Sequence, residues 1–562
     1  MSLEKQSNSD LEHDAVVTPD IEIIPGTVQL VDITGGLDVK KNDSNDNVIL
    51  LPQPTKDIND PLRWTKLKKH LQFFFVWFWC FILAATSNFY GPLWGVWMED
   101  LGFNLNQLTI SKAIIFLFLG TGILVIQPTA LKLGKRFTYL TCAVVGIVGL
   151  AIGSQATSIG SIFVAQAFAG VSAAPVDTLS EISATDIYFQ HERSTAFALV
   201  ILALYAGCYL GPVAAGFIVE GAGWRWCYYV QIIIYVIMFI FLLFTMENTS
   251  FRRDHTTEDE FEEGVIKAVQ SKELHVATSI AEVNQETGEE NDGNSIDESI
   301  PEKTYKQRMK LIQTDNNDER SWLLIFSRPF LMYSFPAIIW GGLVYGAQMM
   351  WLSLIGATQA VIYGAEPYNF SANGVGLTTL GAFGGSVIGM VVGGYLVDNS
   401  SIWLARRNHG ILEPEFRLYA MIIPTISNAG GLLAYGLGAY YEAHWVISVV
   451  IGQGLLGVAM GSSGAICLTY AVDSYHNLAS ECIVFILFIR NMIGMIFCFV
   501  FEDWLDGCGL KLTTWLMFML SILINGSFIV FIKWGKTFRK MTMASYHKYS
   551  DPTYGEIFKK KS

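Results

Sequence analysis

Charge is scarce in this chain. Of its 562 residues only 15% are Asp, Glu, Lys or Arg, against 52% hydrophobic. That balance excludes an ordinary soluble enzyme of this length. The few charges are also unevenly spread. Residues 1–60 carry a formal −8 and residues 247–326 carry −10, out of −13 for the whole chain, which leaves the apolar remainder at +5. No strongly basic surface remains for a nucleic acid. The eight cysteines (Cys80, Cys142, Cys208, Cys227, Cys467, Cys482, Cys498 and Cys508) form no CxxC, and no His stands at metal-ligand spacing. They read as small apolar packing residues, so no metal and no cofactor is expected. Nor is there a Ser/His/Asp set or a His cluster of the kind a membrane-embedded enzyme would need. A long polar segment precedes the first apolar run, which argues against a cleavable signal peptide.

What is abundant is long apolar runs. About 20 residues are needed to cross a bilayer core of about 30 Å. Twelve runs reach that length: roughly 70–97, 108–131, 137–157, 160–184, 194–219, 226–246, 329–356, 373–397, 416–440, 445–471, 479–503 and 511–534. A span must satisfy its own backbone hydrogen bonds, so each is read as a helix. The predicted class is an all-α membrane protein of twelve transmembrane helices in two six-helix halves. The segments are 1–69, polar and mostly disordered; 70–246, the first half; 247–326, an acidic linker; 327–534, the second half; and 535–562, a tail. The linker composition predicts disorder, with one short amphipathic helix near Tyr305–Ile312. Two halves joined this way would close around a cavity near the bilayer midplane.

Lys and Arg set the orientation. Arg63, Lys66, Lys68 and Lys69 precede span 1, and Lys132, Lys135 and Arg136 join spans 2 and 3. Arg406, Arg407 and Arg417 lie between spans 8 and 9, and Lys533, Lys536, Arg539 and Lys540 follow span 12. The alternate links MEDLGFNLNQ, SQATSIG and YGAEPYNFSA contain neither residue. Both termini and the linker are therefore predicted to be cytosolic. Asn369 of the Asn369-Phe370-Ser371 sequon falls outside as a glycosylation site, while Asn248 falls inside. The closing KKKS places Lys559 and Lys560 where a dilysine retrieval signal would stand.

Charge inside a span is costly and marks a functional site or a pairing. Asp177 and Glu181 stand four residues apart in span 4, on one helix face. At 1.5 Å per residue, Asp177 lies roughly 8 Å to the cytosolic side of the middle, and Glu181 roughly 6 Å deeper. Pro175 frees a carbonyl one turn back, which can line a cavity. Two carboxylates in a partly dry cavity suit a substrate with more than one amine, and either could exchange a proton for it. The alternative is that they only lock two helices, with Glu181 joining an inner gate with Arg193. Arg490 in span 11 either pairs with Asp177 or Glu181 across the halves or meets a substrate carboxylate. Weaker cavity candidates are Asn88, within Thr86-Ser87-Asn88, together with Tyr205 and Tyr209, and Tyr345, Gln348 and Trp351. Asp473 and Glu481 flank the link between spans 10 and 11 as surface or gate residues.

Three passages carry a family resemblance. In span 5, GCYLGPVAAG places Gly207, Gly211, Pro212 and Gly216 as in the span-5 motif of major facilitator superfamily antiporters. Small residues there let another helix come close, and Pro bends the axis. In the link between spans 2 and 3, QPTALKLGKR resembles the cytosolic loop motif of the superfamily. Gly134, Lys135 and Arg136 match, Lys132 replaces an Arg, and Leu131 replaces the acid. In the second half, GGYLVD keeps that acid as Asp398, so one half should carry a stronger gating lattice than the other. LPQPTKDINDPLRW, AATSN, DIYFQHE and ARRNHGILEPEFRLY resemble fungal transporters of histidinol and polyamines, in the drug:proton antiporter-like group. The resemblance spans most of the chain apart from the tail and linker. At 166, where many such antiporters carry Arg, the chain has Gln166.

The resemblance implies a major facilitator superfamily fold and proton-coupled transport of small organic cations, polyamines or related amines, by alternating access. The partners would be a small cationic substrate, protons and the lipid bilayer, and the chain would act as a monomer in the plasma membrane. The span-5 motif favours export and the amine-transporter passages favour uptake. Other readings are an exporter of drugs or zwitterions, or a nutrient receptor that binds without transporting.

Overall fold

The computed structural model describes residues 24–29, 41–42, 45–49, 55, 57–247, 249, 301–312, 321–408 and 410–550. The KKKS tail, Asn248, and most of the N-terminal sixty residues and the acidic linker lie outside them. Among the described residues, eleven helical stretches are long and apolar enough to cross a membrane. The last, His476–Ser550, has 75 residues. At 1.5 Å per residue an unbroken helix of that size would run about 110 Å, several bilayers deep. It breaks at Gly509, whose φ of 69° and ψ of 162° only glycine adopts freely. Twelve membrane helices result.

The first half holds α1 (Lys66–Asn88), α2 (Leu105–Leu133), α3 (Lys135–Ser154), α4 (Ile159–Ile187), α5 (Arg193–Ala222) and α6 (Trp224–Thr245). The second holds α7 (Pro336–Gly364), α8 (Ala372–Val391), α9 (Ile422–Tyr440) and α10 (Gly454–Ser474). Its last two, α11 and α12, are the arms of Ala479–Gly526 on either side of Gly509. A π-helical turn, Val392–Leu396, carries α8 on into Val397–Arg407. The helix ends follow local rules. Ser158 caps α4 by accepting from the Ser161 amide, and Ser371 caps α8 by accepting from the Gly374 amide. Pro336 opens α7, where its missing N–H costs nothing. In place of the amphipathic helix expected over Tyr305–Ile312 there is a single turn, Tyr305–Arg308, capped by Thr304 and Gln307. Four residues cannot form a stable helix alone.

Side chains exposed on α6 and α12, such as Ile237, Phe244 and Leu523, are apolar and face where lipid would lie. By contrast α10 is enclosed along almost its whole length. The seam between halves is made by α2 along α11 and α5 along α8. One face, here the terminal face, carries residues 24–29, the helix Trp322–Leu331 and the helix Phe528–Ser550. On it, Val28–Gln29 pairs antiparallel with Ile411–Leu412.

Candidate functional site

Asp177 and Arg490 meet where α4 and α11 face each other across the seam. Both are buried, and one guanidinium nitrogen of Arg490 donates to both Asp177 carboxylate oxygens. Asn491 adds an amide donor to Asp177 Oδ2 at 3.1 Å. The guanidinium carbon of Arg490 stands 4.7 Å from the centre of the Tyr345 ring, which supplies an electron-rich face on its other side. Three things therefore hold a buried arginine: a carboxylate, an amide and an aromatic ring. Neither charge would be tolerable at this depth alone.

The pair lies in the wall of a cavity between the halves. The cavity has two overlapping lobes, each of about 570 Å³ including its open side. The inner lobe contains Asp177 and Arg490 among apolar side chains of α1, α2 and α7. The outer lobe is more polar, with Asn88, Ser111, Gln166, Tyr209, Gln359 and Thr379. Lys112 on α2 and Asn88 on α1 line both lobes. Asn88 donates to the Ala84 carbonyl at 3.3 Å and faces Cys208 Sγ at 3.0 Å.

The geometry separates the remaining sequence candidates. Glu181 is buried one turn from Asp177 toward the terminal face and lines neither lobe. Tyr205 stacks on Tyr209, with ring centres 6.1 Å apart, and lies behind the wall that Tyr209 forms. Gln348 and Trp351 turn away from the cavity. Gln348 instead joins an amide cluster inside the second half, donating to Asn525 at 3.2 Å and accepting from Asn428 at 3.2 Å. The cavity face of α7 is Met349, Leu352, Ile355, Gly356 and Gln359, at helical spacing, and Gln348 and Trp351 fall off that stripe.

Gly207 and Gly211 let α5 lie directly on α1. A Cβ at 207 would collide with the Phe81 carbonyl, and one at 211 would come within 2.7 Å of the Ala85 carbonyl. Pro212 lines the outer lobe, and its carbonyl is approached by Gly376 of α8.

On the terminal face a second polar cluster closes the seam. Arg193 of α5 donates to Asp473 at 2.9 Å, and Arg417 donates to the other oxygen of Asp473 at 2.6 Å. Arg417 also donates to Asp398 at 2.9 Å and to the Gln190 carbonyl at 3.1 Å. Asp398 in turn accepts from the Thr195 amide and hydroxyl at 2.8 and 2.7 Å, so a second-half carboxylate caps the start of a first-half helix. Arg193 thus pairs with Asp473, not with Glu181. At the start of α11 the matching contact is neutral, Gln127 donating to Ser480 at 2.9 Å. Arg136 stays within its own side, donating to the carbonyls of Leu243 and Met309. Lys132 and Gly134 lie at the turn between α2 and α3, where Gly134 has φ 96°.

Against the back of this cluster lies the strap of residues 24–29. Arg539 donates to the Pro25 carbonyl at 2.6 Å, and to Glu413 and Glu415 at 2.7 Å each. A Cβ on Gly26, which has φ 84°, would stand 2.6 Å from the Asp473 carbonyl oxygen. On the opposite face Asn369 is exposed in the loop between α7 and α8.

Lys112 was not among the sequence candidates. The signal was present, a single Lys in TISKAIIF, but it falls near the end of a span, where a lysine can reach water along its own stem.

The family model described as Major Facilitator Superfamily matches residues 76–500. An uncharacterised MFS-type transporter of Schizosaccharomyces pombe is 29% identical, over 94% of this chain and 95% of its own length. Protein HOL1 of Saccharomyces cerevisiae is 28% identical, over 93% of this chain and 97% of its own. Among solved structures, that of the proton:xylose symporter XylE superposes with a TM-score of 0.56 at 12% identity. It covers 84% of this chain and 97% of XylE, a likeness of fold alone.

Proposed function

We propose, from the premise that the chain belongs to the major facilitator superfamily and is a transporter rather than an enzyme, that it moves amine-bearing organic solutes in exchange with, or together with, protons by alternating access. The observation that carries this reading is the Asp177–Arg490 pair: two charges from opposite halves, joined in the wall of one cavity. An ammonium reaching Asp177 competes with Arg490 for the same oxygens. A proton on Asp177 removes the attraction altogether. Either event frees α4 from α11 and alters the balance between states by the difference in binding to each. The resemblance of the N-terminal and loop passages to histidinol and polyamine transporters supports an amine as the cargo.

In this reading the terminal face is cytosolic, by the distribution of Lys and Arg, and the membrane is the plasma membrane. The Arg193–Asp473–Arg417–Asp398 cluster is the inner gate, closed while the cavity faces outward. One chain supplies both halves and the whole cavity, so the monomer is the transporting unit. Asp473 reaches Arg193 and Arg417 from the end of α10, a helix that also packs on α5. Motion of α10 during closure of the outer path would therefore reach the gate directly.

The test is flux in proteoliposomes holding the purified protein, with labelled amines and an imposed pH gradient. Asp177→Asn should abolish amine accumulation while the protein still inserts and purifies normally. Undiminished accumulation by that variant would remove Asp177 from the mechanism.

A further inference from the structure

Lys112 is a second cation on the cavity wall, and unlike Arg490 it has no carboxylate bound to it among the described residues. It projects from α2 of the first half toward α7 of the second. Its Nζ lies so near Gly356 that a Cβ there would be 2.8 Å away. It lines both lobes, so it shares the inner one with Asp177. No ion pair or hydrogen bond joins it to any partner among the described residues. Glu502 on α11 accepts from the Thr109 hydroxyl at 3.2 Å, one turn of α2 from Lys112. The side chains around Lys112 in the outer lobe, Asn88, Ser111 and Gln359, are neutral.

From this placement we infer that Lys112 is an anion-recognising subsite, and that the cargo carries a carboxylate as well as an ammonium. The inference rests on the amine reading of Asp177 and narrows it. A diamine entering the cavity would bring its second ammonium toward Lys112, and like charges in a partly dry space repel strongly. An amino acid-like solute places opposite charges against both. Its ammonium meets Asp177 and its carboxylate meets Lys112, so both ends are held by the first half, through α4 and α2. Gly356 fits this arrangement, because a side chain there would crowd the Lys112 ammonium. The neutral lining around Lys112 also leaves the incoming carboxylate as its main counter-charge, so binding discriminates by charge rather than by shape alone.

A matched pair of probes isolates the effect: 1,4-diaminobutane and 4-aminobutanoate, of equal chain length, differing in one terminal group. Uptake of each into proteoliposomes is measured for the wild type, Lys112→Gln and Lys112→Arg, with monodisperse purification as the folding control. The wild type should prefer 4-aminobutanoate. Lys112→Gln should lower that preference by at least about tenfold, the scale of one charge-assisted hydrogen bond, and Lys112→Arg should keep it. Because Lys112 borders open space, removing its charge leaves no buried partner stranded. Gly356→Ala serves as a second variant: it keeps the charge, displaces it, and should reduce the preference severalfold. Wild-type preference for the diamine, or a ratio unmoved by Lys112→Gln, overturns this inference while leaving the Asp177 reading standing. Failure of the wild type to carry any amine overturns both.

Discussion

Arg193 and Asp473 come from opposite halves of the molecule and meet at 2.9 Å, both buried, at the terminal end of the seam. Asp473 also accepts from Arg417, which reaches back to Asp398 at the cap of α5. Four charged groups thus alternate in sign across one interface. Removing one member deprives its buried neighbours of a counter-charge, a loss of about 3–5 kcal/mol.

Asp473→Asn should therefore weaken closure on this face specifically. Spin labels at the exposed positions Glu192 and Arg406, one in each half, should report a longer and broader distance distribution than in the wild type. The melting temperature should fall as well. An unchanged distance distribution would show that the cluster stabilises the second half rather than the seam.

Arg490 cannot be replaced by lysine without loss. One of its nitrogens serves both oxygens of Asp177, and its flat guanidinium packs on Tyr345. A lysine supplies charge without the planar face. Arg490→Lys should reduce transport by at least about tenfold, and a thermal double-mutant cycle of Arg490→Ala with Asp177→Asn should give a coupling of about 1–3 kcal/mol. Additive effects would mean that the two residues act separately.

Glu413 gives a pH dependence with a definite sign. Burial raises its carboxyl, but Arg539 and Lys536 outweigh burial and hold it below the ordinary value of 4.5. A depressed carboxyl contributes stability that is present above its unfolded value and lost as the pH falls through its folded one. Glu413→Gln should therefore lower the melting temperature at pH 7, with the gap to wild type closing as the pH drops below about 4. A gap independent of pH would point to packing rather than charge.

Asn369 sits in an exposed loop on the face opposite the strap of residues 24–29. Expressed in a eukaryotic host, the protein should lose an endoglycosidase-sensitive mass shift on Asn369→Gln. Absence of any shift in the wild type would challenge the orientation assigned to both faces.

The spans were legible in the sequence because about 20 apolar residues in a row leave a chain few other choices. Leu131 and Asp398 occupy matching places in the motif passages of the two halves; Asp398 caps α5, and one turn before Leu131 the contact is the neutral Gln127–Ser480. What could not be read was direction. In a helix as apolar as α7, with neighbours on nearly every side, no stripe of polarity tells which face meets the cavity. The sequence therefore points to Gln348 and Trp351 as wall residues as readily as to their neighbours, although Gln348 is satisfied by Asn428 and Asn525 of its own half. The pairing of Arg193 with Asp473 was hidden for a related reason. It joins residues 280 positions apart, and periodicity along one helix carries no information on its partner. Lys112 was passed over because a lysine near the end of a span has water as an alternative, whereas Arg490 at mid-depth has none.

The strap of residues 24–29 has a topological consequence. It is fastened to the second half through Arg539 and Ile411–Leu412, yet the same chain enters the first half at Lys66. The halves are thus laced twice by one polypeptide, once through the stretch from residue 30 to 65 and once through the acidic connection after α6. Any rocking of one half on the other changes the distance that both connections must span. Shortening the first should limit the stroke of the machine without touching a single residue in its cavity.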